Sequence, residues 1–366
     1  MQTYRIAVIA GDGVGQEVIP EAKRLLAHLQ SKHSFALEYT DYSWGSDYYL
    51  QYGRMAPVDF LSELRKSEAI LLGAVGHPQV PDHVTLNGLL LPIRRTFDQY
   101  ANIRPAKLFK GVQSPLALRQ NQQIDLVVVR ENTEGEYAQV GGFVYHEQPE
   151  EVAIQTSVFT RRGVDRVVRV AFELARRRNG KRKVTSVTKS NAQGFSLVLW
   201  DRAFAAVAEE YPDIATESLL VDAAAMNFIR RPESFDVVVA SNLFGDILSD
   251  ISAMLVGSMG LAPSANLDPS RRNPSMFEPV HGSAPDIAFR GVVNPLATFL
   301  CVQQMLEHLG QADAALDIAQ AIALVLAETD VRTPDLGGSS STRDVTESVI
   351  AHLNTPWNGG TRITGN

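Results

Sequence analysis

Cysteine is nearly absent: Cys301 is the one thiol in 366 residues. A lone cysteine excludes an intrachain disulfide framework and fits a reducing compartment. Its apolar, helix-like surroundings make it a buried structural thiol. Long hydrophobic runs are absent too, and no stretch approaches the roughly 20 apolar residues of a membrane span. The first residues run straight into a strand-like segment without the architecture of a secretory leader, so a soluble, cytoplasmic protein is expected. Excess basic charge is also missing. With 34 Lys and Arg against 41 Asp and Glu, the chain carries a formal charge of −7. That balance argues against nucleic acid or an anionic membrane as partner. There is no fixed-period repeat or long low-complexity tract, and only the Gly- and Thr-rich tail, 355–366, reads as disordered. What the chain does have is 45% hydrophobic residues, ample for two domains or one large one.

Residues 235–240 are apolar and β-branched and read as a buried strand. They lead into Ser241-Asn242-Leu243-Phe244-Gly245-Asp246-Ile247-Leu248-Ser249-Asp250. Ser241 or Asn242 is suited to cap a helix starting there. On that helix Asp246 and Asp250 share a face. The arc Ile247, Ile251, Met254 and Leu255 puts them at the edge of a core. Carboxylates in that position need a cation, and a hard divalent ion with oxygen ligands is the natural one. An ordinary solvated acidic face is the alternative, because a like-charge pair at this spacing costs only about 0.2–0.5 kcal/mol.

A strand at 5–10 ends in Gly11-Asp12-Gly13-Val14-Gly15 and precedes an amphipathic helix at 16–30. The order suggests dinucleotide binding, but the spacing is not G-x-G-x-x-G and no clear second strand carries an acidic residue about 20 positions on. Glycines there still allow a close backbone approach to a ligand. Another buried strand covers 69–76, and 125–129 delivers Arg130 at its end. Arg94, Arg104 and Arg130 lie near the ends of separate elements, and their planar forks match carboxylates. Each taken alone equally suits a surface ion pair. Residues 141–159 read as a protruding two-stranded arm, and 165–178 as an amphipathic helix with a solvated basic end. Lys189 follows a strand at 183–187 and is either a base or a salt-bridged edge lysine. A strand at 217–222 ends in Asp222; a turn-rich loop at 276–287 contains His281; Asn294-Pro295 opens a helix at 296–309.

As a set, these motifs resemble the β-decarboxylating dehydrogenases, which comprise the isocitrate, 3-isopropylmalate, homoisocitrate, D-malate and tartrate enzymes. The carrying stretch is 242–250, and the resemblance extends from the glycine turn at 11–15 to Asp335-Leu336-Gly337-Gly338. Residues 82–105, with Phe97-Asp98-Gln99-Tyr100, are most similar to the tartrate and D-malate branch. The resemblance implies an α/β, two-domain isopropylmalate/isocitrate dehydrogenase-like fold, not a Rossmann fold, with the active site in the interdomain cleft. It implies a large nucleotide-binding domain of 1–100 plus 256–366. Residues 101–255 would form a smaller dimerisation and substrate domain with an arm at about 137–160. It further implies a homodimer in which Lys189 and Asp222 complete the other chain's site.

Carried onto matching positions, the family roles make Arg94, Arg104 and Arg130 the clamp for a hydroxy-diacid. Asp222, Asp246 and Asp250 hold Mg²⁺ or Mn²⁺, Lys189 is the base and Tyr137 the acid. Glu278, His281, Gly282, Ser283, Ala284, Asp286 and Asn294 line the NAD site. Asp286, placed at the ribose 2′-hydroxyl, disfavours NADP. The implied activity is oxidation and β-decarboxylation of tartrate and D-malate, with meso-tartrate converted to D-glycerate. K⁺ is implied as a monovalent cofactor, its ligands unassigned. Gly88 and Leu90 stand where isocitrate enzymes carry polar side chains. Leu90 and Leu91 suit an isopropyl group, so a 3-isopropylmalate dehydrogenase is the alternative. Asn87 departs from both branches, since an acidic residue is expected near it in one and an aromatic in the other. A non-catalytic regulatory subunit would be expected to lack the lysine, tyrosine or a metal aspartate, and all are present.

Overall fold

The computed structural model describes residues 2–119 and 122–355, so 356–366 of the expected tail lie outside the described residues. Its strands are β1 (Gln2–Gly11), β2 (Phe35–Asp41), β3 (Ala69–Ala74), β4 (Ala101–Lys107), β5 (Asp125–Glu131) and β6 (Gly135–Val144). They continue with β7 (Val152–Val158), β8 (Lys183–Thr188), β9 (Ala215–Leu220), β10 (Val237–Ala240), β11 (Pro263–Leu267) and β12 (Ser275–Pro279). Ten of them form one sheet in the order β2-β1-β3-β12-β11-β4-β5-β10-β8-β9. The outer parts are parallel, while β12, β11, β4 and β5 run antiparallel to one another across the middle. Parallel strands need cover on both faces, and every residue of β3 and β10 is accordingly buried.

Two large cores flank this antiparallel junction. One gathers Ile6, Leu25, Phe277, Phe299 and Ile322 from the two chain ends. The other gathers Val128, Phe172, Trp200, Phe228 and Val238 from the middle. β6 and β7 pair antiparallel as a separate ribbon with Val140, Phe143, Val152 and Ile154 exposed. Among the described residues no helix is long and apolar enough to cross a membrane.

Several boundaries differ from the sequence reading. β2 is a true strand parallel to β1, although its exposed far end weakens its pattern. The helix expected at 165–178 begins at Arg161, because Thr160 caps it by accepting the Gly163 N–H at 2.9 Å. β9 stops at Leu220, so Asp222 belongs to the first turn of the helix Val221–Arg230. Leu86–Leu90 is one turn of π-helix running into the helix Leu91–Thr96.

Candidate active site

The helix Asn242–Leu255 starts beneath the C-terminal end of β10 with Ser241 at its N-cap. Ser241 does not cap it by its own side chain. Its Oγ donates to Glu136 Oε1 at 2.8 Å, and Glu136 Oε2 accepts the Leu243 N–H at 3.1 Å. A carboxylate from β6 therefore serves both the orphan amide and the positive helix end. Phe244, Gly245, Leu248, Ser249 and Ser252 face inward. Ile247 and Met254, expected beside the core, are each 50% exposed.

Asp246 and Asp250 project from this helix toward arginines on two strands. Arg104 on β4 donates through Nη1 to Asp246 Oδ1 at 3.1 Å and to Ser249 Oγ at 2.8 Å, and lies 3.4 Å from Asp250 Oδ1. Arg130 on β5 is buried, pairs with Asp246 Oδ1, and donates through Nε and Nη2 to Asn242 Oδ1 at 3.0 and 2.7 Å. Its guanidinium lies 5.4 Å from the Tyr137 ring centroid. The Tyr137 hydroxyl donates to Asp246 Oδ2 at 2.9 Å. Burial and the facing Asp246 push the Tyr137 pKa up to about 12. Burial opposes ionisation of Asp246, yet Arg130 and Arg104 outweigh it and hold its carboxyl below the usual aspartate range. At Asp250 burial prevails over Arg104 and the pKa rises.

Arg94 is buried and pairs at 2.7 Å with Glu278, one of the expected nucleotide residues. Glu278 also accepts from Asn266 Nδ2 at 2.8 Å, and Asn266 Oδ1 accepts from Asn102 and Asn132 at 3.0 Å each. Sequence reasoning missed this amide network; its available signal was a polar residue inside each of the strands β4 and β11. Arg94 also adds to the field at Asp246. Arg94 Nε and Arg104 Nε are buried without a partner among the described residues. Orphan buried donors of this kind suit an anionic ligand.

Lys189 stands apart. Its Nζ is 2.5 Å from Asp222 Oδ1, which lowers the Asp222 pKa through that hydrogen bond. Among the described residues this pair forms no ion pair with the arginine–carboxylate cluster, and no three His, Cys, Asp or Glu side chains converge as a metal group. One chain thus presents two hard carboxylate donors together, and Asp222 elsewhere.

The expected nucleotide loop is fastened from several sides. Val14 N–H donates to Ser283 O at 2.9 Å. Glu17 accepts the N–H groups of Phe289 and Gly291 at 2.7 and 2.8 Å. The glycine turn serves packing: an added Cβ at Gly13 would lie 2.1 Å from Ser283 O, and one at Gly11 1.9 Å from Ala74 O. Asn294 Oδ1 accepts the Leu296 N–H at 3.0 Å, and its Nδ2 donates to Asp335 at 3.0 Å. His281 Nε2 is buried without a partner among the described residues, and burial lowers its pKa. Asp286 is exposed, Gly282 has open space beside it, and Ala284 holds a left-handed φ of 39°. In the π-turn, Asn87 and Leu86 are exposed, whereas Leu90 and Leu89 pack into a core with Met55, Ile93 and Phe97. Leu90 thus packs in that core directly beside the helix that carries Arg94.

The mixed sheet and its arginine–carboxylate face define an α/β enzyme that handles small acids on a non-Rossmann scaffold. Comparison with known proteins gives its kin. The model of the isocitrate/isopropylmalate dehydrogenase family matches residues 5–349. Over 351 residues the chain is 50% identical to a tartrate dehydrogenase/decarboxylase of Pseudomonas putida, covering 94% of this chain and 96% of that protein. Over 356 residues it is 49% identical to the decarboxylating D-malate dehydrogenase of Escherichia coli (strain K12), covering 95% and 98%. The crystal structure of isocitrate dehydrogenase from Methylococcus capsulatus matches with a TM-score of 0.86 at 34% identity, covering 96% of this chain and 100% of that one. The chain belongs to the isocitrate/isopropylmalate dehydrogenase family, whose fold it has, and is an oxidoreductase of that family.

Proposed function

We propose that this protein catalyses the NAD- and divalent-metal-dependent oxidation and β-decarboxylation of D-malate and tartrate, and converts meso-tartrate to D-glycerate. The observation that carries the reading is the gathering of Arg104, Arg130, Tyr137, Asp246 and Asp250 on one face. Its support on substrate is the near-full-length identity to the D-malate and tartrate enzymes.

Arg94, Arg104 and Arg130 bind the two carboxylates of the substrate. Asp246, Asp250 and the second subunit's copy of Asp222 would hold Mg²⁺ or Mn²⁺, which would supply Lewis-acid stabilisation of charge on the C2 oxygen. Lys189 would take the C2 hydroxyl proton, and NAD, when bound, would supply the hydride acceptor for C2. The resulting carbonyl lies β to a carboxylate, so CO₂ departs and leaves an enolate. Tyr137, protonated throughout the neutral range, gives C3 its proton. Asp246 must first exchange its internal partners for ligands. Glu278, His281, Gly282, Ser283, Ala284, Asp286 and Asn294 would line the NAD site, and K⁺ would be a further cofactor.

Two domains, 1–100 with 256–366 and 101–255, bound the cleft in this reading, and the separate cores support it. A homodimer is supported by exposed apolar side chains on two packed helices, Met226 and Ile229 on one and Ile247 and Met254 on the other, and on the ribbon. In it Lys189 and Asp222 serve the other subunit's site. The lone buried cysteine suits the cytoplasm.

NADH formation with Mn²⁺ and K⁺ tests the substrate. D-malate is expected to exceed 3-isopropylmalate by about tenfold or more in kcat/KM, ~1.4 kcal/mol of discrimination. The reverse order makes the protein an isopropylmalate dehydrogenase. No turnover of either supports the regulatory-subunit reading.

A further inference from the structure

A cavity of about 760 Å³ lies on the face of the sheet opposite the arginine–carboxylate cluster. Strand alternation places it there. On β4, Arg104 faces the aspartates and Ile103 lines the cavity; on β11, Asn266 faces Glu278 while Ala265 and Leu267 line the cavity. One wall is the helix Arg161–Arg178 from the middle of the chain. The other is the end of the helix Leu296–His308 with the loop after β11.

Five arginines and two glutamates line this space in a chain of net charge −7. Three of the arginines are already engaged: Arg166 with Asp98, Arg169 with Glu210, and Arg178 with Asp125 and Asp236. Arg177 and Arg271, from opposite walls, form no ion pair within 4.0 Å among the described residues, although the charge of Arg177 acts on Glu307. Glu173 accepts from Tyr211 at 2.8 Å and Glu307 from Gln303 at 3.1 Å. Arg271 also holds a left-handed φ of 56°, a conformation that costs a non-glycine residue energy and tends to persist at ligand sites. Gln304 Oε1 and Arg166 Nε, on the lining side chains, are buried without partners among the described residues. The floor between the cations is apolar, with Ile103, Leu174, Leu267 and Pro269 beside the Tyr100 ring.

We propose that this cleft is a second ligand site for an anion carrying an apolar body, of the size and chemistry of a nucleoside monophosphate. Its volume falls in the range of about 300–1,000 Å³ usual for such ligands and far exceeds what a four-carbon diacid fills. Arg177 and Arg271 bind the phosphate, and the apolar floor takes the base. Gln304 Oε1 is free to accept from a ligand hydroxyl or amine. Because the arginines come from different parts of the chain, the bound anion ties the two walls together.

The test uses the full chain saturated with NADH, so that the dehydrogenase nucleotide site is filled, and titrates AMP while following amide hydrogen exchange. The expected result is slowed exchange in segments 161–178 and 263–272. Affinity is expected to be at least tenfold lower in Arg177→Ala/Arg271→Ala, whose basal NADH formation is unchanged, and for inorganic phosphate alone. Absence of protection in those segments at millimolar AMP overturns the proposal. So does equal affinity in the double variant, or phosphate binding as tightly as AMP.

Discussion

Arg130 and Asp246 neutralise each other across the gap between β5 and the helix Asn242–Leu255. One ion pair thus joins a guanidinium suited to a carboxylate with a carboxylate suited to a cation. Binding exchanges one set of charge partners for another, and no charge is left bare in the buried space.

Asp246→Asn removes one proposed metal donor and the carboxylate that Arg104 and Arg130 share. Losing several kcal/mol of Lewis-acid stabilisation corresponds to about a thousand-fold or greater fall in kcat/KM, with weaker activation by Mn²⁺. Steady-state kinetics over a metal titration checks this. Near-wild-type turnover would instead indicate a reductase that needs no metal.

Gly245 is required by proximity. An added Cβ would lie 2.6 Å from Arg130 Cβ and 2.8 Å from its Cγ. Gly245→Ala is expected to cost about 1–3 kcal/mol in stability, as overpacking does. It also raises KM for the diacid, because Arg130 is displaced. Urea unfolding and initial rates read the two effects separately.

Glu136 supplies the cap that the serine does not. Glu136→Ala should destabilise the fold by about 1 kcal/mol, the ordinary cost of a lost N-cap. Glu136→Gln, which keeps one acceptor, should cost less. Chemical denaturation of the three proteins orders them.

His308 gives the chain an acid-side dependence. Burial and the nearby Arg271 lower its pKa from 6.5 to about 4. Between those values the unfolded chain binds the proton and the folded one does not. The contribution is therefore fully present above pH 6.5 and lost as pH falls towards 4. With partial exposure discounted, it amounts to roughly 1–3 kcal/mol. His308→Gln should flatten the stability profile between pH 6.5 and 4, measured by urea unfolding across that range.

Much of this was legible in the sequence because apolar runs such as β3 and β10 are dictated locally. Asp246 and Asp250 stood out by their spacing on one helix and Lys189 by its place after a strand, whereas Tyr137 entered only through the family resemblance. What escaped depends on distant partners. Glu136 caps a helix 105 residues further on, which no local pattern announces. Ile247 and Met254 read as core by spacing, yet periodicity records only that a face is apolar, not what covers it. The π-turn at Leu86–Leu90 was likewise illegible: it shifts the helical phase, bringing Leu89 and Leu90 inward and leaving Leu86 and Asn87 outside. The glycine turn was legible as a place of close backbone approach, but not that Gly11 and Gly13 admit the carbonyls of Ala74 and Ser283.

Lys189 and Asp222 are proposed to work in the other subunit's site, and complementation tests this directly. Two variants are co-expressed in equal amounts, Lys189→Ala and Asp246→Asn, each inactive alone. A mixed dimer then holds one site with neither change and one with both. With half the dimers mixed, D-malate oxidation is expected to recover to roughly a quarter of the wild-type rate. No recovery, with mixed dimers demonstrated, would contradict the account and place the complete site within one chain.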